Sequence, residues 1–322
     1  MKIVFMGTPE FAVPSLKILH DSGYEISGVV TVPDKPAGRG QKLSESAVKK
    51  YALTQKFLIL QPDKLRDPSF IQQLTDIRAD LFVVVAFRML PQIVWEMPRL
   101  GCINLHGSLL PDYRGAAPIH WAVINGDKKT GVTTFFIEKE IDTGKIINQT
   151  EVEIPYNYTT GDLHDMLSLI GAELMLKTVK TIEKFNDKNL VPSIDQVTVK
   201  LNVNNGVIRI APKLHSQDCR INWHQNSESI YNFIRGMSPF PCANTIIDGK
   251  LLKIFFATIS DIEPISNISE PGKLVIMDNK IFIKTLDSWL ILNDIQMEGK
   301  KRMLSSVFLR GFQIKNDIIL GT

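Results

Sequence analysis

Residues 79–87 contain the feature that most restricts the fold of this chain. Apolar side chains occupy consecutive positions from Leu81 to Val85 rather than alternate ones. Such a run is typical of a central parallel strand that helices cover on both faces. Before it, strand patterns at residues 3–7, 26–32 and 57–60 alternate with helical patterns at residues 11–20 and 47–56. We therefore predict an α/β fold with an open, doubly wound, mostly parallel sheet.

Patterns of the same kind continue beyond the central strand. Residues 102–105 and 132–137 have strand character, and short helices are predicted at residues 91–97 and 117–124. The longest helical pattern covers residues 160–182, with an apolar side chain every three or four positions. All of these elements fit the same α/β sheet.

The chain changes character near residue 190. Residues 190–206 are polar and end in the turn-rich string Asn-Val-Asn-Asn-Gly, which predicts a linker. After a helical pattern at residues 229–237, short strand patterns separated by turns predict a small β-barrel of the OB type. We therefore predict an α/β domain at residues 1–189, a linker at 190–206 and a β-barrel domain at 207–322.

Composition excludes several classes of protein. The three cysteines suit neither a disulfide framework nor a Cys-rich zinc site, and no apolar run approaches the roughly 18–20 residues that cross a bilayer. We expect a cytoplasmic protein that is not in a membrane. Residues 1–206 hold 23 basic and 23 acidic side chains, whereas residues 207–322 hold 14 and 11. That small surplus is compatible with a polyanion at the C-terminal part, but it is weak evidence by itself.

Ligands of open α/β sheets bind beyond the carboxyl ends of the strands, so those ends are the first places to inspect. The first predicted strand ends in Gly7-Thr8-Pro9-Glu10, which lacks the Gly-x-Gly-x-x-Gly spacing of dinucleotide-binding turns. Binding of NAD or FAD is therefore disfavoured.

Two other strand ends hold side chains suited to chemistry. Asn104 and His106 lie two apart on a predicted strand, so they point to the same side. Asp142 lies in an Asp-Thr-Gly turn after the strand at 132–137. Taken alone, an Asn-x-His pair is more often a structural pair that satisfies loop carbonyls, and an Asp-Thr-Gly string is most often an ordinary turn. Spacing alone leaves both alternatives open.

Longer strings at these positions resemble the folate-dependent formyltransferase family. They are Asn-Leu-His-Gly-Ser-Leu-Leu-Pro at 104–111, Arg-Gly-Ala-Ala-Pro-Ile at 114–119, Gly-Val-Thr-Thr at 131–134 and Ile-Asp-Thr-Gly at 141–144. Further strings narrow the resemblance to the branch whose amine substrate is methionyl initiator tRNA. They are Gly-Thr-Pro-Glu-Phe-Ala at 7–12, Pro-Asp-Lys-Pro-Ala-Gly-Arg-Gly at 33–40, Arg-Leu-Gly-Cys-Ile-Asn at 99–104, Ile-Asn-Trp at 221–223 and Ile-Arg-Gly-Met-Ser-Pro-Phe-Pro at 234–241.

The resemblance implies transfer of a formyl group from 10-formyltetrahydrofolate to the amino group of methionyl initiator tRNA. It implies that Asn104 donates to the formyl oxygen, that His106 assists the intermediate or moves the proton, and that Asp142 orients His106. No metal is required. It also implies that the β-barrel domain binds tRNA. We expect a monomer.

Two turns are implied to flank the folate. Their residues are Phe87, Arg88, Met89 and Leu90 in one turn, and Ser108, Leu109, Leu110 and Pro111 in the other. The family commonly has Tyr-Gly where this chain has Phe87-Arg88. Because Gly is replaced by a long cation, the rim of the folate pocket is expected to differ while backbone contacts persist.

The basic segment at residues 33–43 contains Lys35, Arg39 and Lys42. A solvated surface loop is the simple interpretation of such a segment. The resemblance implies instead a tRNA-binding loop that enters the acceptor stem of the tRNA, with Arg39 in contact with the end of the acceptor-stem helix.

Two other functions stay open at this point. One is formyl transfer to a different amine, such as glycinamide ribonucleotide or an amino sugar nucleotide. The other is a folate-binding or tRNA-binding protein without turnover, which would have no need for Asn104, His106 and Asp142 together.

Overall fold

The apolar run at Leu81–Val85 forms the middle strand of a seven-stranded sheet, and all five of its side chains are buried. The computed structural model describes residues 1–37, 42–199, 207–265, 268–312 and 318–321. These residues form two compact units. The first unit contains Met1–Pro118, Thr130–Val152 and His164–Ile210, and the second contains Ile119–Lys129, Glu153–Leu163 and Ala211–Thr322.

Ten strands and six helices precede residue 183 within the described ranges. The strands are β1 (Lys2–Gly7), β2 (Glu25–Val30), β3 (Lys35–Ala37), β4 (Lys42–Ser44), β5 (Ile59–Leu60), β6 (Leu81–Val85), β7 (Cys102–His106), β8 (Arg114–Gly115), β9 (Lys129–Phe136) and β10 (Ile146–Glu153). The helices are α1 (Val13–Asp21), α2 (Ala47–Thr54), α3 (Pro68–Ile77), α4 (Gln92–Trp95), α5 (Pro118–Ile124) and α6 (Thr160–Ile182).

The large sheet has the order β10-β9-β7-β6-β1-β2-β5. Strands β7, β6, β1, β2 and β5 run parallel to one another, and β9 is antiparallel to β7. The predicted mostly parallel α/β sheet is therefore confirmed. Its parallel strands bring the carboxyl ends of β1, β6 and β7 to one edge.

Helix α3 and strand β10 are among the elements of this part that were not predicted. Helix α3 has Asp67 as its N-cap, whose side chain accepts a hydrogen bond from Ser69 N at 2.8 Å. Only Phe70 and Leu74 of this helix are buried, so its apolar stripe is short. Strand β10 has the sequence Ile-Ile-Asn-Gln-Thr-Glu-Val-Glu and lies at the edge of the sheet, where polar side chains remain accessible.

The second unit is built on antiparallel strands. They are β12 (Ala243–Ile247), β13 (Lys250–Ile259), β14 (Leu274–Met277), β15 (Lys280–Lys284), β16 (Trp289–Met297) and β17 (Met303–Leu304), and they follow β11 (Ile210–Ala211). Helix α7 (Ser227–Met237) precedes this sheet and α8 (Ser305–Gly311) follows it. The ladder has the order β12-β13-β16-β15-β14, with β17 paired to β16. The predicted β-rich C-terminal part is confirmed.

The segment at residues 318–321 joins the two ends of that ladder. At one end of the ladder, Leu274 N of β14 donates to Ile318 O at 2.9 Å, and Leu320 N donates to Gly272 O at 2.9 Å. On the other side, Gly321 N donates to Ile246 O of β12 at 3.1 Å. The segment thereby closes the antiparallel sheet into a barrel.

The two units interleave along the chain. Ile119–Lys129 and Glu153–Leu163 come from the first half of the sequence and group with the C-terminal unit. Linear limits such as 1–189 and 207–322 cannot express such an arrangement. None of the helices in the described ranges combines the length and apolar character needed to cross a membrane.

Leu320 provides a test of barrel closure. Its side chain is 4% exposed and belongs to the core of the second unit. We expect Leu320→Ala to lower the free energy of unfolding by about 2–5 kcal/mol, because it removes buried methyl groups and leaves a cavity. The measurement is urea denaturation. Leu286→Ala is the control, since Leu286 is 62% exposed, and an equal loss in both variants would contradict the closing role.

Candidate active site

His106 is the last residue of β7 and its side chain is buried, with 6% of the residue exposed. Its Nε2 lies 2.9 Å from the carbonyl oxygen of Tyr113. A carbonyl only accepts, so this hydrogen bond requires a hydrogen on Nε2. Nδ1 is then the ring nitrogen that remains available for proton exchange.

Asp142 faces that second nitrogen. Its Oδ2 lies 3.7 Å from His106 Nδ1. This distance is too long for a direct hydrogen bond but short enough for an ion pair when the imidazole is protonated. The structure therefore brings together the imidazole and the carboxylate that the resemblance pairs.

Asn104 lies two residues before His106 on the same strand and is half-buried. Its backbone sits between β6 and β9, paired with Val84 and Phe135. In the part of the chain that the structure describes, its side-chain amide makes no hydrogen bond. The amide is therefore available to a ligand on the face of β7 that His106 shares.

The backbone around Asp142 is held by several groups. Asp142 has a φ of 56°, in the left-handed region, and its Oδ2 accepts a hydrogen bond from Gly115 N at 2.9 Å. Two residues later, a Cβ on Gly144 would meet the carbonyl oxygen of Phe136 at 1.7 Å. Only glycine fits there, which explains the Asp-Thr-Gly string physically.

The turn after β7 is fixed from within. Ser108 is fully buried, and its hydroxyl donates to Asp112 O at 2.6 Å. Thr133 Oγ1 donates to Ser108 O at 2.6 Å and accepts from Leu110 N at 3.1 Å. Leu110 and Pro111 are buried and Leu109 is half-buried. The Ser108 side chain is thus engaged inside the turn.

Arg88 folds back from the turn after β6. Its Nη1 donates to Asp63 O at 3.0 Å and its Nη2 donates to Pro62 O at 2.8 Å, while its guanidinium lies 5.4 Å from the Phe87 ring centroid. Met89 is 70% exposed and Leu90 is buried. The long Arg88 side chain therefore connects this turn to the backbone at residues 62–63.

Of the three residues predicted to bind tRNA, Arg39 lies outside the described residues. Lys35 is exposed and begins β3, and Lys42 begins β4. The two strands pair antiparallel, so the predicted loop at 33–43 contains a short hairpin. Beside β3, hydrogen bonds from Lys49 and Gln61 lower the pKa of Asp34.

Two residues that support the site were missed from the sequence. One is Gln196, which is 2% exposed and lies within the predicted linker. Its Nε2 donates to the carbonyl oxygens of Asp142 and Gly144, at 2.9 Å and 2.8 Å. A lone Gln in a polar segment gives no signal for such contacts, because its partners are backbone carbonyls.

The second missed contact is the ion pair between Asp112 and Arg209. Arg209 Nε donates to Asp112 Oδ2 at 2.9 Å, Arg209 N donates to Asp112 Oδ1 at 2.8 Å, and Nη2 contacts the same carboxylate. The guanidinium also lies 4.1 Å from the Tyr113 ring centroid, and Tyr113 N donates to Arg209 O at 2.7 Å. Arg209 thereby holds the residue whose carbonyl binds His106.

No group of three or more His, Cys, Asp or Glu side chains suited to a metal ion occurs among the described residues. Comparison with known proteins then decides the family. The model of the formyl transferase family matches residues 1–179, and the model of the formyl transferase C-terminal domain matches residues 213–313. The chain belongs to the formyl transferase family. The resemblance stated from the sequence strings is confirmed.

Relatives within the family match along nearly the whole chain. A methionyl-tRNA formyltransferase of Bacteroides thetaiotaomicron is 46% identical over 98% of this chain and 97% of that protein. One of Clostridioides difficile is 40% identical over 100% of both chains. The solved N-formyltransferase of Helicobacter canadensis, in complex with folinic acid and dTDP-3-aminofucose, has a TM-score of 0.64 at 20% identity, covering 94% of this chain and 100% of that chain. That last similarity shows the fold alone.

The buried ion pair leads to a prediction about stability. Asp112 is 5% exposed, so Arg209→Met would leave an uncompensated buried carboxylate. We expect the free energy of unfolding to fall by about 3–5 kcal/mol, measured by urea denaturation. Adding Asp112→Asn should recover part of the loss because it removes the charge.

Lys17→Met is the matched control for that experiment. Its partner Asp21 lies 2.6 Å away, but both side chains are more than half exposed, so we expect a loss of at most about 1 kcal/mol. Equal losses for Arg209→Met and Lys17→Met would show that burial of the Asp112 carboxylate is unimportant.

Proposed function

We propose that this protein transfers the formyl group of 10-formyltetrahydrofolate to the free amino group of methionyl initiator tRNA, producing formylmethionyl-tRNA for translation initiation. The observation that carries the proposal is the meeting of His106 and Asp142, 3.7 Å apart, beside Asn104 on the same strand. The support from relatives is that methionyl-tRNA formyltransferases match over 98–100% of the chain at 40–46% identity.

Each of the three side chains has a task in this reaction. The amine of the methionyl group attacks the formyl carbon of the folate, and the bond from that carbon to N10 of the folate breaks as the tetrahedral intermediate collapses. The proton lost by the amine is passed to N10, so tetrahydrofolate leaves. Asn104 donates a hydrogen bond to the formyl oxygen as negative charge develops there, and one such donor is worth about 3–4 kcal/mol. Its amide can do so because no protein group in the described residues occupies it.

Proton transfer falls to His106. Its Nε2 is tied to Tyr113 O, so Nδ1 is the nitrogen that takes the proton from the attacking amine. The Asp142 carboxylate, 3.7 Å from Nδ1, stabilises the imidazolium that results and orients the ring. The carboxylate also helps to draw the proton from the amine.

The two turns at residues 87–90 and 108–111 suit a folate co-substrate. Hydrogen bonds donated by Arg88 fix the first turn. In the second turn, Thr133 Oγ1 donates to Ser108 O and accepts from Leu110 N. Met89 adds an apolar side chain that is 70% exposed, and an aromatic pterin ring needs such surface. We propose that the contacts to the folate come mainly from backbone groups of these two turns. Their residues are Phe87, Arg88, Met89, Leu90, Ser108, Leu109, Leu110 and Pro111.

For the tRNA, we propose that Lys35, Arg39 and Lys42 contact the acceptor stem and that the C-terminal unit binds the backbone. Phosphates attract cations, and residues 207–322 carry the chain's surplus of positive charge, 14 basic against 11 acidic side chains. We further infer a monomer that works in the cytoplasm, because its proposed catalytic groups lie on one chain and its three cysteines are free and buried.

The substrate is tested by comparing three amines with 10-formyltetrahydrofolate as donor. We expect initiator Met-tRNA to be formylated with a kcat/KM at least about 100-fold above that of glycinamide ribonucleotide or an amino sugar nucleotide, because the tRNA offers the proposed basic residues a long phosphate backbone that the small amines lack. The assay follows formylated product by mass spectrometry. Equal or higher rates on either small amine would overturn the substrate assignment, and no turnover on any of them would favour a binding protein.

The carboxylate is tested with Asp142→Asn. An asparagine oxygen can still accept the hydrogen bond from Gly115 N, so the turn is preserved while the charge is lost. We expect kcat to fall by at least about 100-fold, the scale of general acid–base catalysis, with an unchanged circular dichroism spectrum. Asp165→Asn is the control, because that carboxylate is 85% exposed on α6. A rate near that of the parent would mean that Asp142 has no catalytic role.

A further inference from the structure

We infer that Gln196 is a positioning residue for formyl transfer, which holds the turn of Asp142 and so sets the distance between that carboxylate and His106. The inference rests on the proposed function for its catalytic readout. It assigns a role in the active site to a segment whose sequence is that of a linker.

The burial of Gln196 stands out against its neighbours. It begins a short 3-10 helix at Gln196–Thr198 that is capped by Asp195, whose side chain accepts from Val197 N at 3.1 Å. Val197 is 87% exposed, whereas Gln196 is 2% exposed. A polar side chain is buried here while its apolar neighbour faces solvent, so packing of apolar surface does not explain the conformation.

The amide of Gln196 is fully used. Both hydrogens of Nε2 are donated, to Asp142 O at 2.9 Å and to Gly144 O at 2.8 Å. Its Oε1 accepts from Nε and Nη2 of Arg114, at 3.0 Å and 2.6 Å. Carbonyls only accept and a guanidinium only donates, so these partners fix which end of the amide is which.

These contacts form a ring of connected residues around the Asp142 carboxylate. Gln196 binds the backbone of Asp142 on one side and Arg114 on the other. Arg114 is followed in β8 by Gly115, whose N–H donates to Asp142 Oδ2 at 2.9 Å. The backbone and the side chain of Asp142 are thus both held by groups that Gln196 connects.

Asp142 needs such support because its backbone is in an unfavourable region. A φ of 56° is uncommon for a residue with a side chain. Without the two bonds from Gln196, the carbonyls at positions 142 and 144 would lose their partner, and the turn could relax. Misplacement of a catalytic group by about 1 Å can lower a rate about 100-fold, so relaxation would be expressed in kcat.

The test compares Gln196→Leu with Gln72→Leu. Gln72 is exposed on α3, where its side chain donates to Asp76 at 2.8 Å. We expect Gln196→Leu to lower kcat by about 10- to 100-fold while the KM values for folate and tRNA change by less than about threefold. Gln72→Leu should match the parent. Gln196→Glu, of the same size but without donors, is the second variant if the leucine variant does not fold.

A double-mutant cycle separates positioning from a general structural role. If Gln196 acts through Asp142, Gln196→Leu should lower kcat less than about twofold further when Asp142→Asn is already present. A structural role would instead give the same fold-loss in both backgrounds. The same loss in both, or an unchanged kcat in Gln196→Leu, would overturn the inference.

A readout without turnover keeps this inference separate from the proposed function. The ring-nitrogen resonances of His106, assigned with His106→Gln, should shift in Gln196→Leu in the same direction as in Asp142→Asn, and stay in place in Gln72→Leu. Unshifted resonances in Gln196→Leu would overturn the positioning role. A parent protein that formylates no amine would overturn the proposed function, and the resonances would still decide the positioning of Asp142.

Discussion

The hydrogen bond between His106 Nε2 and the carbonyl of Tyr113 is the interaction on which the site depends. It fixes the ring and decides that Nδ1 is the nitrogen turned towards Asp142. Without this hydrogen bond, the Nε2 of the buried imidazole would need another partner, since unpaired buried polar groups are costly. The Tyr113 backbone, held by Arg209, is therefore as much a part of the site as the side chains proposed to act on the substrates.

Each of the two partners of His106 is held by a residue that lies after α6. Arg209 holds Tyr113 and the adjacent Asp112, and Gln196 holds the turn of Asp142. Both lie far along the chain from the strand ends they support. The polar segment after α6 thus supports the candidate site at the edge of the α/β sheet, and it also leads into the second unit.

The sequence predicted the parts whose determinants are local. The continuous apolar run of β6 could hardly form anything except a buried strand, and the Asn104–His106 spacing placed two side chains on one face. Strand β10 was missed because an edge strand has a polar face and a weak pattern. Gln196 was missed because the partners of its Nε2 are backbone carbonyls 52 and 54 positions earlier in the chain, and no side-chain pattern records them. The family resemblance supplied what spacing left open.

The interleaving of the two units has a consequence for how this protein could be rearranged. Segments Ile119–Lys129 and Glu153–Leu163 group with the β-rich unit, and within that unit Thr160 donates to Gly236 O at 2.7 Å and Trp121 to Pro212 O at 2.8 Å. A cut anywhere near residue 206 would strip the C-terminal piece of these partners. The barrel is consequently not a separable module. To exchange it between relatives, the segments Ile119–Lys129 and Glu153–Leu163 would have to be exchanged together with it.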